Sequence, residues 1–264
     1  MLMKKIIFTD LDGTLLDERY SFEKALPALK LINKYRIPLI FCTSKTRAET
    51  ELYRRKTGNS DPFIVENGGA VFIPENYFDF EFEYNYTTRN YLVIKLGTDY
   101  VKLRRVLESI RNSGIRVVGF GDMSPEEISK CCNMPLEQAR LAKEREYDEP
   151  FRLAKKEDEE EVSIIIRENG LSLTKGGTFY HLTGGNDKGK AVKILTDLYS
   201  RKYGKIMTYG FGNSENDFEM LEAVDEAYII QKADGSFASC KFNMAEGIGP
   251  AGWNMIVLRL FKWA

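Results

Sequence analysis

The sequence predicts an α/β fold, a doubly wound parallel (Rossmann-like) sheet with an α+β domain inserted into it. Apolar, β-branched runs alternate with helical patterns in the first and last parts of the chain, as in βαβ units. The middle part instead alternates like antiparallel strand pairs accompanied by helices. We therefore expect a core domain made of residues 1–83 and 187–264, and an inserted domain over residues 84–186.

The composition is that of an ordinary globular protein, with 43% hydrophobic and 29% charged residues among 264. The 38 basic and 39 acidic side chains leave no bulk charge that would favour nucleic acid or a membrane surface. No apolar stretch reaches the length of a membrane span, and four cysteines without CxxC spacing favour a reducing compartment. We expect a cytoplasmic protein with no nucleic acid, membrane or obligate protein partner.

The first buried run, residues 6–8, leads into two carboxylates and a glycine, Asp10, Asp12 and Gly13. Ligands of parallel sheets bind beyond the carboxyl ends of the strands. Two carboxylates at one strand end repel each other unless a cation joins them, and Mg²⁺ prefers such oxygen ligands. The alternative is a simple Asp-Gly turn that Asp12 closes through its own backbone.

A helical pattern over residues 21–35 leads into a second buried run at 37–42. Hydroxyl and basic side chains follow it, namely Thr43, Ser44, Lys45 and Arg47. At a strand end before a helix, where N–H groups are free, this combination suits a phosphate. An equally good reading makes Thr43 or Ser44 the N-cap of a helix with an exposed basic first turn.

The third run, residues 63–65, ends in Glu66, Asn67 and Gly68 and continues into a fourth run at 70–73. An Asn-Gly-Gly sequence between apolar runs usually marks a tight hairpin turn. Because the turn follows another strand end, Glu66 and Asn67 are also candidates to reach the site.

The middle of the chain contains strand and helix patterns of a separate domain. The predicted strands cover residues 91–96, 115–118, 171–174 and 178–182, and the predicted helices cover 101–112, 135–145 and 162–168. The core then resumes with a helix at 191–203 and strands at 206–211 and 227–230, and it ends in a helix at 253–261. The glycine-rich residues 247–252 lack a preceding buried strand, so we expect a linker there.

Lys188 lies in the first turn of the resumed helical pattern, where a cation opposes the helix dipole. An anion close by would offset this cost. The strand at 206–211 is followed by polar residues that include Asn213, Asn216 and Asp217, another candidate ligand set. Alternatively, these polar residues form the start of a helix that is capped by Ser214 or Asp217.

Taken together, these strand ends resemble the four motifs of the haloacid dehalogenase superfamily of phosphatases: Asp10 to Thr14, the Thr43 hydroxyl, Lys188, and Gly212 to Asp217. The resemblance implies that Asp10 is the nucleophile, Asp12 the acid/base, and Thr43 and Lys188 the phosphoryl-holding residues. It also implies a C2-type cap and Mg²⁺ held by Asp10, Asp12, Asn213 and Asp217. The family normally has aspartate where this chain has Asn213.

Residues 43–49, 63–69, 145–149 and 179–189 further resemble the mannosyl-3-phosphoglycerate phosphatases, which implies a small phosphorylated glycoside as substrate. The candidate substrate-binding residues are Ser44, Lys45, Arg47, Glu66, Asn67, Gly68, Arg140, Arg145, His181 and Asn216. Arg145 is the main candidate for a substrate carboxylate, while Glu144, Asp148 and His181 are available for hydroxyl groups. Arg140 and Glu144 are four residues apart and could instead form an internal ion pair.

Other functions stay open on the sequence alone. Within the phosphatases, the alternative is hydrolysis of sucrose phosphate or of sugar phosphates in general. A phosphotransferase or mutase could use the same pair of aspartates to pass the phosphoryl group to a sugar. A binding or regulatory protein without catalysis would be consistent with Asn213.

Overall fold

The computed structural model describes residues 3–175 and 179–261, which form two β-sheets flanked by helices. The strands are β1 (Lys4–Thr9), β2 (Leu39–Cys42), β3 (Phe63–Val65), β4 (Ala70–Pro74), β5 (Tyr86–Thr88), β6 (Tyr91–Lys95), β7 (Val117–Gly119), β8 (Asp148–Leu153), β9 (Ser172–Lys175), β10 (Tyr180–Thr183), β11 (Ile206–Gly212), β12 (Glu226–Gln231) and β13 (Asn243–Ile248). The helices are α1 (Leu26–Tyr35), α2 (Arg47–Thr57), α3 (Tyr100–Asn112), α4 (Pro125–Cys132), α5 (Leu136–Ala142), α6 (Glu159–Glu168), α7 (Lys188–Tyr203), α8 (Phe218–Glu222) and α9 (Pro250–Phe261).

The larger sheet has the order β13-β12-β11-β1-β2-β3-β4-β6-β5. Its strands from β13 to β3 are parallel, and the last three pair antiparallel. Helices α1 and α9 cover one face of this sheet, and α7 and α8 cover the other. The predicted fold class, a doubly wound parallel sheet with an additional α+β unit, is confirmed.

The second sheet, β7-β8-β10-β9, is antiparallel and belongs to the inserted unit, which we call the cap. Phe151 and Leu182 lie on the face that packs against α3 and α6. Side chains alternate between the faces of a strand, so Asp148, Arg152 and His181 lie on the opposite face.

One strand that we expected in the inserted domain belongs to the larger sheet instead. Strand β6, predicted at residues 91–96, pairs with β4, where Val93 lies opposite Phe72. Tyr91 packs its ring edge-on against Phe63 and Phe72 of the core, which explains the pairing. We propose that the cap begins after Lys95 rather than at residue 84; the return to the core near residue 187 stays a prediction.

Three further strands, β5, β8 and β13, were missed. Strand β5 has only three mostly exposed residues at the edge of the larger sheet. The residues of β8 include Asp148, Glu149 and Pro150, which are poor strand formers. The contacts of the two buried acids with His181 and Arg104 are not visible in a sequence. Strand β13 is a mostly exposed edge strand without an apolar run. The linker expected at 247–252 is therefore wrong, because β13 runs directly into α9. The predicted strand at 178–182 corresponds to β10, and residue 178 lies outside the described residues.

Among the described residues, no helix combines the length and apolar character needed to cross a membrane.

Candidate active site

Asp10 lies at the carboxyl end of β1, between the neighbouring strands β11 and β2. Its backbone N–H donates to the carbonyl oxygen of Phe211 at 2.8 Å, which extends the sheet pairing to this residue. The side chain is 4% exposed. Burial and the nearby carboxylate of Asp217 raise the pKa of Asp10 to about 7, although Lys188 acts in the opposite direction. The strand thus holds a single carboxylate in a nearly dry position.

Lys188, in the first turn of α7, is fully buried beside this carboxylate. Its Nζ lies 3.1 Å from Asp10 Oδ1 and 2.6 Å from Asp217 Oδ1. Burial alone would lower the pKa of Lys188, but the two carboxylates outweigh it and raise the pKa above the ordinary value. Asp10 and Asp217 therefore supply the negative charge that we expected beside a cation in the first turn of a helix.

Asp217 connects Lys188 to the loop after β11. Its Oδ2 accepts hydrogen bonds from the backbone N–H groups of Asn213, at 2.9 Å, and Ser214, at 3.1 Å. Its other oxygen contacts Lys188. Since both oxygens have protein partners, Asp217 caps the helical turn after β11 and positions the lysine, and the capping alternative is realised here.

Asn213 lies directly against the first loop. Its Oδ1 accepts a hydrogen bond from the Thr14 hydroxyl at 3.3 Å. Gly13 has a φ of +69°, and a Cβ there would lie 2.2 Å from Asn213 Nδ2. Only glycine fits this turn, which brings the amide beside the Asp10–Asp12 segment.

Asp12 forms an ion pair with Lys45, whose Nζ lies 3.0 Å from Asp12 Oδ2. The other carboxylate oxygen, Oδ1, is buried and has no hydrogen-bond partner among the described residues. Lys45 is 4% exposed, contacts Glu49 at 3.4 Å and lies over the Tyr20 ring. Lys45 therefore orients Asp12, a role that the sequence did not reveal.

Thr43 follows β2 and is fully buried. The N-cap of α2 is Thr46, which forms a capping box with Glu49, so the alternative that Thr43 or Ser44 caps this helix is wrong. The Thr43 hydroxyl accepts a hydrogen bond from the Lys45 backbone N–H at 3.2 Å. Because the Thr43 hydroxyl acts as the acceptor in this bond, its own proton is available to donate to a ligand.

The oxygen atoms near Asp10 fit a hard cation. Within residues 3–175 and 179–261, no three His, Cys, Asp or Glu side chains form a metal-binding group. The Asp10 carboxylate, the Asp12 backbone carbonyl and the Asn213 amide oxygen are the predicted ligands. Mg²⁺ commonly takes one or two carboxylates and completes its shell with water and phosphate oxygens. Asp217, the fourth predicted ligand, has both carboxylate oxygens in contact with Lys188 and the backbone of residues 213–214.

Glu66 connects the core to the cap. Its carboxylate oxygens accept hydrogen bonds from the backbone N–H groups of Glu146, at 2.9 Å, and Tyr147, at 2.8 Å. Burial raises the pKa of Glu66 to about 8, and the charge of Arg145 opposes this shift. Asn186 adds hydrogen bonds to the carbonyl oxygens of Glu66 and Tyr147. Glu66 therefore holds the cap residues 146–147 against the core.

The neighbouring turn residues approach the core. The Asn67 backbone N–H donates to the Thr43 carbonyl oxygen at 2.9 Å, and Asn67 Oδ1 accepts from Asn216 Nδ2 at 3.1 Å. A Cβ at Gly68 would lie 2.3 Å from the Asp187 backbone. The turn that starts β4 therefore packs tightly against the segment that leads to Lys188.

Arg145, the predicted carboxylate ligand, is occupied by protein groups. Its Nε donates to the Ala142 carbonyl oxygen at 2.9 Å, and its Nη1 donates to the Ser44 carbonyl oxygen at 3.0 Å. Asp148 Oδ2 lies 3.6 Å from the same Nη1, and the side chain is 8% exposed. These contacts favour a structural role at the junction, and substrate binding by Arg145 stays a prediction.

The remaining candidates differ in position. Arg47, on α2 of the core, pairs with Glu146 across the junction at 2.9 Å. Arg140 is more than half exposed and pairs with Glu137 rather than with Glu144, so the alternative of an internal Arg140–Glu144 pair is not realised. His181 Nδ1 lies 2.8 Å from Asp148 Oδ2 on the core-facing side of the cap sheet.

Comparison with known proteins supports this assembly of motifs. A family model described as haloacid dehalogenase-like hydrolase matches residues 7–96 and 141–239. The chain is 48% identical to a glucosyl-3-phosphoglycerate/mannosyl-3-phosphoglycerate phosphatase of Methanococcoides burtonii, over 98% of this chain and 97% of the relative. It is 42% identical to a mannosyl-3-phosphoglycerate phosphatase of Pyrococcus furiosus, over 86% of this chain and 91% of the relative.

Solved structures agree with the fold. A protein of Thermoplasma acidophilum superposes with a TM-score of 0.66 at 18% identity, covering 99% of both chains. A phosphatase of the haloalkanoate (HAD) enzyme superfamily from Bacteroides thetaiotaomicron superposes with a TM-score of 0.65 at 17% identity, covering 98% of this chain and 96% of that one. At these identities the likeness concerns the fold.

Proposed function

Because this chain belongs to the family of haloacid dehalogenase-like hydrolases, we propose that it is a Mg²⁺-dependent phosphatase that hydrolyses mannosyl-3-phosphoglycerate to mannosylglycerate and phosphate. The observation that carries the proposal is the nearly buried Asp10 carboxylate in contact with Lys188 at a strand end. The printed names of the relatives, at 42% and 48% identity, support the substrate class. The glucosyl analogue is a second candidate substrate, because one relative carries both names.

In the first step, a carboxylate oxygen of Asp10 attacks phosphorus. A bond forms between that oxygen and phosphorus, the bond from phosphorus to the glycerate oxygen breaks, and Asp12 gives a proton to the leaving oxygen. Lys188 contacts Asp10 Oδ1, which leaves Oδ2 for the attack. The ammonium group of Lys188 and the hydroxyl of Thr43 hold the transferring phosphoryl group.

In the second step, water attacks the aspartyl-phosphate and Asp12 takes its proton, which restores Asp10 and releases phosphate. Lys45 keeps the Asp12 carboxylate oriented for this transfer, since it pairs with Oδ2 at 3.0 Å. A bound Mg²⁺ supplies positive charge that withdraws electron density from the phosphoryl oxygens. Asp10, the Asp12 carbonyl and Asn213 would hold it.

Phosphate release from purified protein tests the proposal. Mannosyl- and glucosyl-3-phosphoglycerate, sucrose phosphate and simple sugar phosphates are compared with and without Mg²⁺. We expect the glycosyl-phosphoglycerates to give the highest kcat/KM, and Asp10→Asn to abolish turnover without changing Tm, because an amide is a far poorer nucleophile of nearly equal shape. Preferred hydrolysis of another sugar phosphate would replace the substrate. Transfer of the phosphoryl group to a sugar, without free phosphate, would replace the reaction.

The proposed substrate is a small phosphorylated glycoside, an ordinary metabolite of the cytoplasm, and we propose the same location for the enzyme. The four free cysteines agree with a reducing compartment.

A further inference from the structure

The core-facing side of the cap sheet carries a row of polar side chains. Asp148 and Arg152 on β8 alternate with Phe151, which packs on α3 and α6. His181 on β10 lies on the same side, because it is paired with Pro150. Helices α4 and α5 shield part of this face through a small apolar cluster around Phe179. On the rest of this face, Arg152 and His181 are partly exposed.

Arg152 is partly buried, unlike Arg105 and Arg116, two exposed arginines of the cap that also have no ion-pair partner among the described residues. Arg104, Arg111 and Arg145 each contact a carboxylate. Arg152 forms no ion pair and no side-chain hydrogen bond within the described ranges 3–175 and 179–261. Its guanidinium carbon lies 4.3 Å from the centre of the Phe179 ring. Stacking on an aromatic face fixes the guanidinium plane and leaves the N–H groups along its edges available, which is the geometry that binds carboxylates in a bidentate manner.

A second observation at the same face points to a polar ligand. Asp148 is fully buried, and its Oδ2 pairs with His181 and Arg145. Its Oδ1 is buried with no hydrogen-bond partner among the described residues. A buried carboxylate oxygen without a partner is costly, and a hydroxyl group of a bound molecule would satisfy it.

Arg145 links this face of the cap sheet to the core beside the reaction centre. Its Nη1 lies 3.6 Å from Asp148 Oδ2 and donates to the Ser44 carbonyl oxygen at 3.0 Å. Ser44 directly precedes Lys45, which pairs with Asp12. A chain of contacts therefore leads from Asp148 to the Lys45–Asp12 pair.

We propose that Arg152 binds the carboxylate group of the substrate and so determines specificity for glycosyl-phosphoglycerates over other sugar phosphates. This inference rests on the proposed function, since the glycerate moiety supplies the carboxylate. In a substrate that spans from Asp10 to the cap sheet, a hydroxyl group near the carboxylate reaches Asp148 and His181. Arg145, fixed by Ser44 and Ala142, keeps the buried side of Asp148 neutralised.

The experiment compares two substrates that differ only in the carboxylate. The first is the glycosyl-3-phosphoglycerate, and the second is the glycosylglycerol phosphate in which a hydroxymethyl group replaces the carboxylate. We expect Arg152→Gln to lower kcat/KM for the first substrate by about 10- to 100-fold, mainly through KM, because a charge-assisted hydrogen bond is lost. The second substrate and a small aryl phosphate should change less than about twofold on the same reasoning.

Two controls accompany this variant. Arg105→Gln removes an exposed arginine from α3, on the far side of the cap, and should leave both substrates unaffected. Arg152→Lys keeps the charge but removes the planar fork, so part of the loss should remain.

The outcomes distinguish a failure of the proposed function from a failure of the proposed role of Arg152. If the unmodified protein does not hydrolyse glycosyl-3-phosphoglycerate but hydrolyses other sugar phosphates, the proposed function is wrong. If it does hydrolyse that substrate, but Arg152→Gln affects both substrates equally or neither, then Arg152 does not bind the carboxylate and the further inference alone is overturned. Hydrolysis of the aryl phosphate verifies that the variant is folded.

Discussion

Lys45 and Asp12 form an ion pair across two loops of the core, with Lys45 Nζ 3.0 Å from Asp12 Oδ2. The lysine is almost completely buried between Tyr20 and Tyr53 and also contacts Glu49. Burial lowers the pKa of Lys45, but the two carboxylates outweigh it and keep the ammonium group charged. One buried cation therefore connects Asp12, the proposed acid/base residue, to the capping box of α2.

We predict that Lys45→Met lowers kcat about 10²-fold, since an acid/base residue contributes about 10²–10⁴-fold only when it is positioned. Glu49→Gln is the matched control, because it removes the other carboxylate but leaves the Lys45–Asp12 pair. That control should retain kcat and lose about 1 kcal/mol of stability through the weakened capping box. Steady-state phosphate release and thermal unfolding measure the two effects. Equal losses of kcat in both variants would show that Lys45 acts through α2 rather than through Asp12.

Asn213→Asp should lower the Mg²⁺ concentration that gives half-maximal activity, because a hard cation gains from the charge of a carboxylate ligand. The side chain already lies against Gly13 and accepts a hydrogen bond from Thr14, so the exchange keeps its position. Asn216→Asp adds the same charge to the same loop and should have a smaller effect. A Mg²⁺ titration of activity gives both values. An unchanged or higher requirement in Asn213→Asp would exclude residue 213 as a ligand.

The sequence predicted the strand ends of the core well, because buried parallel strands leave continuous apolar runs. The predicted set of Asp10, Lys188 and Asp217 indeed meets at one point. Lys188 could be predicted as a site residue because a cation in the first turn of a helix is unfavourable without a nearby anion. Such local rules link a residue type to a position without knowledge of the fold.

Contacts between distant segments could not be predicted in this way. Arg145 contacts Ser44 of the core, about a hundred positions earlier in the chain, and no periodic pattern encodes that contact. Strand β8 was missed because its two acids are buried only through contacts with distant residues, Arg104 with Glu149 and His181 with Asp148. Arg152 was overlooked for the same reason, since a missing partner is visible only in three dimensions.

Arg145→Ala should reduce activity on glycosyl-3-phosphoglycerate and on a small aryl phosphate to a similar extent. The guanidinium holds Ser44 of the core and Asp148 of the cap, and its removal leaves the buried Asp148 charge with a single partner. The free energy of unfolding should fall by about 3 kcal/mol, as for other buried pairs that lose one member. Thermal unfolding and kcat/KM on both substrates test this. A loss confined to the glycosyl substrate would instead support the carboxylate-binding role that the sequence suggested.

The last prediction concerns the pH dependence of stability at the junction between core and cap. Burial raises the pKa of Glu66 from 4.5 to about 8, against the opposing charge of Arg145 and two backbone N–H groups. A carboxyl group whose pKa is raised by folding binds more protons in the folded state than in the unfolded state between these two values. Its contribution to stability is therefore complete below about pH 4.5 and is lost as the pH rises through about 8.

We expect Tm of the unmodified protein to fall more steeply over this window than Tm of Glu66→Gln, because glutamine does not titrate. At low pH, Glu66→Gln should be the less stable protein, since its amide NH₂ faces a backbone N–H of Glu146 or Tyr147 where a carboxyl oxygen stood. Glu168 is exposed on the outside of the cap, so Glu168→Gln is the control. Its Tm should follow that of the unmodified protein across the same pH range. Parallel curves for Glu66→Gln and the unmodified protein would mean that Glu66 stays ionised across the window, with its two N–H donors and Arg145 outweighing burial.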